Sequence, residues 1–144
     1  MKRILLADIG GTYARFAMLS GDKLASVMTL SVNDHRQISD AIRHFLAKQG
    51  GASSIDEAVL ALAGPIGSGR CALTNSAWVV DGKALKHEFG FRTLRLVNDH
   101  EAAAWGLPHL APSDTLLIGP DKGAPDAPMA LLGPGTGLGM ACYV

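Results

Sequence analysis

The chain offers little sulfur chemistry and no excess of either charge. Its two cysteines, Cys71 and Cys142, stand far apart with no CxxC spacing, which argues against a disulfide framework or a metal site. Each lies in an apolar run, so both are expected to be reduced core thiols of a cytosolic protein. Thirteen basic residues balance thirteen acidic ones, and without a basic stripe neither nucleic acid nor an anionic membrane surface is expected as a partner. No apolar run approaches the roughly 20 residues of a membrane span. Lys2-Arg3 precedes only four apolar residues before Asp8, short of the roughly 7 to 15 of a secretory h-region. The expectation is a cytoplasmic protein with no export signal.

What is present is apolar substance: 48% of 144 residues are hydrophobic, enough for a packed core and of a length for one domain, or one domain and part of another. Arg3 to Asp8, Tyr13 to Ser20 and Lys23 to Leu30 read as strands, the last two joined by a tight turn at Gly21-Asp22. Together they predict an antiparallel meander. Ile38, Ala41, Ile42, Phe45 and Leu46 fall on one helical stripe, stopped by Gly50-Gly51. Glu57 to Ala63 reads as a strand buried on both faces, Gly64 to Gly67 as a turn and Arg70 to Thr74 as a short strand. Asp81 caps a predicted helix reaching Phe89, with Gly90 behind it. Leu94 to Val97 is a further buried strand, followed by a helix from about His100 to Gly106. This mixture implies an α/β domain with a partly parallel sheet. Beyond Pro108, strands are expected at Ser113 to Gly119, Met129 to Gly133 and Met140 to Val144, around a loop at 120 to 128 and a turn at 134 to 139.

Two short stretches carry chemistry. Asp8-Ile9-Gly10-Gly11-Thr12 interrupts an apolar run with an acid and two glycines. Glycines permit positive φ and let a ligand reach main-chain N–H groups, Thr12 adds a hydroxyl, and Asp8 can hold a metal's water shell. These are the pieces of a phosphate and Mg²⁺ site; a glycine-rich hairpin with a capping Asp is the plainer reading. No Gly-Lys-Ser/Thr follows, so it is not a P-loop, and Gly133-Pro134-Gly135-Thr136-Gly137-Leu138-Gly139 does not fit GxGxxG. The second stretch is Asn98-Asp99, at the carboxyl end of a buried strand, where open α/β sheets bind ligands. Asp99 there could take a proton from a hydroxyl, or simply cap the next helix. The segments around Thr12 and Thr136 echo one another as strand, Gly-Thr turn, strand, the parts of a paired cradle.

Taken together, ADIGGTYARF, ALAGPI, LTNSAW, LVNDHEAAAWG and GPGTGLG, in this order and spacing, resemble the bacterial glucokinase family over essentially the whole chain. These are ATP-dependent hexose kinases of the actin-like ATPase (ribonuclease H-like) fold. The resemblance implies that Ala7, Asp8, Ile9, Gly10, Gly11 and Thr12 meet the phosphates of ATP, with Asp8 binding Mg²⁺ through water. It implies a second phosphate motif at Gly135, Thr136, Gly137 and Gly139. Asp99 matches the general base and Asn98 a hexose ligand; Thr74, Asn75 and Trp78 lie near the sugar pocket, and Ala63-Gly64-Pro65 forms a turn beside it. Arg15 is expected to pair with a carboxylate. Tyr13 stands where Asn is frequent, and His100 where Phe is common; His100 is expected to face solvent.

The resemblance further implies a small α/β domain over 1–110, then the first strands of a larger, similar domain over 111–144. The family's other hexose ligands and adenosine pocket fall past Val144. The chain is therefore expected to be the N-terminal portion of a glucokinase, inactive by itself, with glucose or a similar hexose as substrate and room for a homodimer of the intact protein. A sugar-responsive regulator and a non-catalytic nucleotide- or sugar-binding module of the same fold are the rival readings.

Overall fold

A computed structural model describes residues 2–49, 55–119, 123–124, 126–134 and 138–144. The chain divides into two compact units, Met1–Asp99 and His100–Val144.

In the first unit, β1 (Arg3–Ile9), β2 (Tyr13–Ser20) and β3 (Lys23–Ser31) form the expected meander, followed by α1 (Ile38–Lys48) and β4 (Glu57–Leu62). A small hairpin follows, β5 (Arg70–Ala72) with β6 (Val79–Asp81), then α2 (Gly82–Phe89) and β7 (Thr93–Asn98). The main sheet has the order β3-β2-β1-β4-β7. β1 is antiparallel to β2 and parallel to β4, which is parallel to β7.

Alternation in the sequence decides which face is buried. Leu5, Ala7 and Ile9 pair with Met18, Phe16 and Ala14 across the meander and with Ala58, Leu60 and Leu62 on β4, and all of these side chains are buried. α1 lays its apolar stripe against them: Ile42 and Phe45 are fully buried, and the Phe45 ring stacks on Phe16 with centroids 5.6 Å apart. α2 begins against the same face, where Gly82 abuts Leu94 and Leu96. The opposite face is only partly covered, so Glu57, Val59 and Ala61 are half-buried. This corrects the expectation that β4 is buried on both sides; its continuous apolar run serves one closed face and one part-open one.

The ends of α2 match their local signals. The Asp81 carboxylate accepts from the amides of Lys83 and Ala84, each at 3.0 Å, and Gly90 closes the helix in the left-handed region at φ 68°. The Ala84 amide, with help from Arg70 and Lys83, holds the Asp81 carboxyl below its ordinary value of 3.8. A carboxylate with a depressed folded pKa stabilises the fold above its unfolded pKa, and that contribution is lost as pH falls through the folded value. Asp81→Ala is therefore expected to lower Tm at neutral pH, with the gap to the unaltered chain closing in melts run well below pH 3.8. A deficit independent of pH would contradict the assignment.

The expected helix stop at Gly50-Gly51 lies outside the described residues. α1 is capped at Gln49, whose amide donates to Leu46 O at 3.0 Å.

The second unit holds α3, which spans Asp99–Gly106 and so begins with the last residue of the first unit. Short 3₁₀ turns at Leu107–His109 and Pro112–Asp114 follow, then the antiparallel hairpin β8 (Met129–Pro134) with β9 (Leu138–Tyr143). Three expectations are corrected here. Ser113 to Gly119 is not a strand: no described strand pairs with it, and Leu116 and Ile118 are exposed. An apolar run without a ladder partner has nothing to hold it extended. Cys71 is buried as expected, but Cys142 points outward from β9 and is exposed. His100 does not simply face solvent. Its ring lies over the cross-strand pair Gly133 and Gly139, where a Cβ on Gly133 would come within 2.6 Å of Nε2. The imidazole fits because both positions lack side chains. On the same unit, Trp105 meets Tyr143 edge to face, with centroids 5.7 Å apart.

Candidate functional site

Parallel pairing sets Ile9 beside Leu62 and Leu62 beside Asn98. The carboxyl ends of β1, β4 and β7 therefore share one edge, the edge at which open α/β sheets take ligands. Three segments leave it together: Gly10 to Thr12, Ala63 to Pro65, and Asn98-Asp99.

A fourth segment comes from the β5–β6 hairpin. Thr74 donates from both its amide (3.2 Å) and its hydroxyl (3.1 Å) to Ala63 O. Its loop is closed by Leu73 N to Trp78 O, and the buried Trp78 indole donates to His35 O at 3.1 Å. Thr74 and Asn75 are thus carried to the edge by a seated loop, with both side chains exposed.

The glycine turn meets this loop directly. A Cβ on Gly11 would lie 2.6 Å from Asn75 Cβ and 3.0 Å from Asn75 O. Neither Gly10 nor Gly11 has positive φ; of the two freedoms a glycine offers, Gly11 uses close approach, here to Asn75. The Gly10 amide is committed to Tyr13 O at 2.9 Å, while among the described residues the amides of Gly11 and Thr12 take no protein acceptor. Gly64 is pressed in the same way: a Cβ there would fall 2.8 Å from Ala72 O and 2.9 Å from Cys71 Sγ. Its carbonyl accepts from Asn98 Nδ2 at 3.2 Å, so the buried Cys71 thiol backs the turn that orients Asn98. Burial, and then the charge of Asp99, push that thiol's pKa up; Cys71 is a packing group here, not a nucleophile.

Asp8 and Arg15 are cross-strand partners on β1 and β2, and Arg15 Nη1 donates to Asp8 Oδ2 at 2.9 Å. The pairing expected for Arg15 is present, although the arginine is exposed at 57% rather than buried. An ion pair this open contributes little. Arg15→Ala is expected to leave unfolding free energy within about 1 kcal/mol in urea titration; a much larger loss would show that the pair holds the hairpin. The remaining sites named from the sequence, Gly135, Thr136 and Gly137, lie outside the described residues, and Gly139 is the floor beneath His100. Sequence reasoning missed the backing roles of Asn75 and Cys71, since neither has a local signal.

The mixed sheet is that of sugar kinases of the actin-like ATPase fold, as the similarity to solved structures shows. Glucokinase from an Antarctic psychrotroph superposes with a TM-score of 0.86 at 34% identity, covering 100% of this chain and 47% of that one. A ROK family glucokinase from Streptomyces griseus, solved with glucose and AMPPNP, shares the fold at TM-score 0.69 and 19% identity, covering 99% of this chain and 44% of that one. The glucokinase family pattern matches residues 5–144. Glucokinase of Caulobacter sp. (strain K31) is 44% identical over 97% of this chain, and that of Chromohalobacter salexigens 40% identical over 95%. The chain belongs to the glucokinase family. It spans less than half the length of these relatives, 44% and 43% respectively.

Proposed function

We propose that the intact protein is an ATP-dependent glucokinase, transferring the terminal phosphoryl group of MgATP to the 6-hydroxyl of glucose or a close hexose in the cytoplasm. This chain is its N-terminal portion. The observation that carries the reading is the shared edge, where the Gly10 to Thr12 turn, the Asn75 loop and Asn98-Asp99 stand together.

Each residue has a role that its placement supports. The Gly11 and Thr12 amides and the Thr12 hydroxyl receive phosphate oxygens. The exposed Asp8 carboxylate at the same turn suits Mg²⁺, a hard cation that is held by one or two carboxylates and keeps several waters; bound there, the ion would neutralise phosphate charge. Asn98, oriented by its bond to Gly64 O, and Asn75 and Thr74 on their seated loop bind sugar hydroxyls beside Gly64-Pro65. Asp99 accepts the proton of the attacking hydroxyl. Phosphoryl transfer depends mainly on such positioning and charge neutralisation. Gly135, Thr136, Gly137 and Gly139 would supply the second half of the phosphate cradle, on a larger domain beginning near residue 111.

The test is a coupled ADP-release assay with glucose, beside calorimetric titrations with glucose and with MgATP. The intact protein is expected to turn over, and this chain by itself to be weak or inactive. Binding of sugar or nucleotide by the intact protein without turnover would favour a non-catalytic module instead.

A further inference from the structure

Away from this edge, two histidines on the first unit face one another. His35 Nε2 and His44 Nδ1 are 3.0 Å apart, His35 following the 3₁₀ turn Val32–Asp34 and His44 lying on the exposed side of α1. His35 Nδ1 lies 3.1 Å from Ser31 O. A carbonyl only accepts, so that nitrogen carries the ring's hydrogen and the lone pair sits on Nε2, directed at His44. A histidine fixed through its other N–H by a backbone carbonyl is the usual arrangement of a metal ligand. His44 supplies the single hydrogen between the rings; in its other neutral tautomer that hydrogen moves to Nε2, leaving two lone pairs facing one another across the 3.0 Å gap, and a rotation of the exposed His44 ring turns both toward one cation.

The geometry points to a two-imidazole site for a divalent transition metal, with His35 Nε2 and His44 Nδ1 as adjacent ligands and water completing the shell. Among the described residues no third His, Cys, Asp or Glu joins them. Two imidazoles with the remaining positions left to water suit Cu²⁺ and Ni²⁺, which take nitrogen ligands in tetragonal or octahedral shells, better than Zn²⁺, whose tetrahedral sites are ordinarily closed by three or four protein ligands. The site also has a built-in reporter. The His35 carbonyl holds the indole of buried Trp78, so a paramagnetic ion on His35 sits close to that ring, while the exposed Trp105 belongs to the other unit.

The experiment uses the full chain carrying Trp105→Phe, titrated separately with Cu²⁺, Ni²⁺ and Zn²⁺ by calorimetry, with Trp78 fluorescence read in the Cu²⁺ and Ni²⁺ arms. Expected are one-to-one binding, Cu²⁺ tighter than Ni²⁺ and Ni²⁺ tighter than Zn²⁺, and saturable quenching of Trp78 by Cu²⁺. His44→Gln and, separately, His35→Gln should each weaken Cu²⁺ binding at least about tenfold, the loss typical of disturbing a metal ligand set. His87→Gln and His109→Gln should leave it unchanged. Glutamine at 44 keeps a good helix former on an exposed helical position, and circular dichroism checks that both variants fold. Saturable binding that survives both substitutions, the absence of saturable binding, or a preference for Zn²⁺ over Ni²⁺ would overturn the assignment.

Discussion

Replacing Asp99 by Asn in the intact protein is expected to lower kcat by about 10²- to 10⁴-fold with KM for ATP nearly unchanged, the range typical of removing a general base. Asp99 opens α3 directly after Asn98, the last residue of β7, and Asn98 is held to the Gly64 turn. Asp99 is therefore held at the sheet edge by a strand end, on the edge that also carries the loop proposed to bind the sugar. The amide of Asn fills the same volume and can still bond to a substrate hydroxyl, but it cannot take that hydroxyl's proton. Sugar affinity should accordingly change far less than turnover. An unaltered kcat would remove Asp99 from the chemistry, and equal losses in kcat and in glucose affinity would make it a binding residue only.

Gly11→Ala is expected to destabilise the chain by about 1–3 kcal/mol, as overpacking of a filled site does, and to weaken nucleotide binding in the intact protein. The added methyl would lie 2.6 Å from Asn75 Cβ and 3.0 Å from its carbonyl oxygen. Backbone atoms cannot rotate away as a side-chain tip can, so either the glycine turn or the Asn75 loop must shift. The neighbouring glycine is the control. A Cβ on Gly10 would find only Tyr13 O, at 3.5 Å, an ordinary contact at a backbone without positive φ. Gly10→Ala should then be neutral or stabilising by up to about 1 kcal/mol through the unfolded chain. Urea unfolding of the two variants separates close approach from conformational freedom; equal effects at the two positions would refute the distinction.

The elements legible in the sequence are those whose cause is local. The stripe of α1, the Asp81 and Gly90 caps of α2 and the Gly21-Asp22 turn each follow from residues within a few positions of one another, and each is where the sequence puts it. β6 was not legible, because three residues become a strand only through pairing with β5, Asp81 opposite Arg70. Ser113 to Gly119 misled for the converse reason: its apolar run looks like a strand, yet no described strand receives it. At the site, the placement of the glycine turn and of Asn98-Asp99 at strand ends was legible, because the apolar runs beside them set it. The reason for Gly11 was not, since it lies in a contact with Asn75 at the far side of a long connection. His100 likewise looked solvent-facing until Gly133 and Gly139 were seen beneath it.

The central claim is that the main chain at Gly11 and Thr12 is presented to nucleotide phosphates while Asn75 and Asn98 are presented to a sugar. Its most direct measurement is amide chemical-shift mapping of the ¹⁵N-labelled protein, titrated to millimolar MgAMPPNP and, separately, glucose. The account predicts that nucleotide moves the backbone amides of Gly11 and Thr12 more than that of Gly10, which is already bonded to Tyr13 O, and that glucose moves the side-chain amides of Asn75 and Asn98. Nucleotide shifts confined to other surfaces, with Gly11 and Thr12 unmoved, would contradict it.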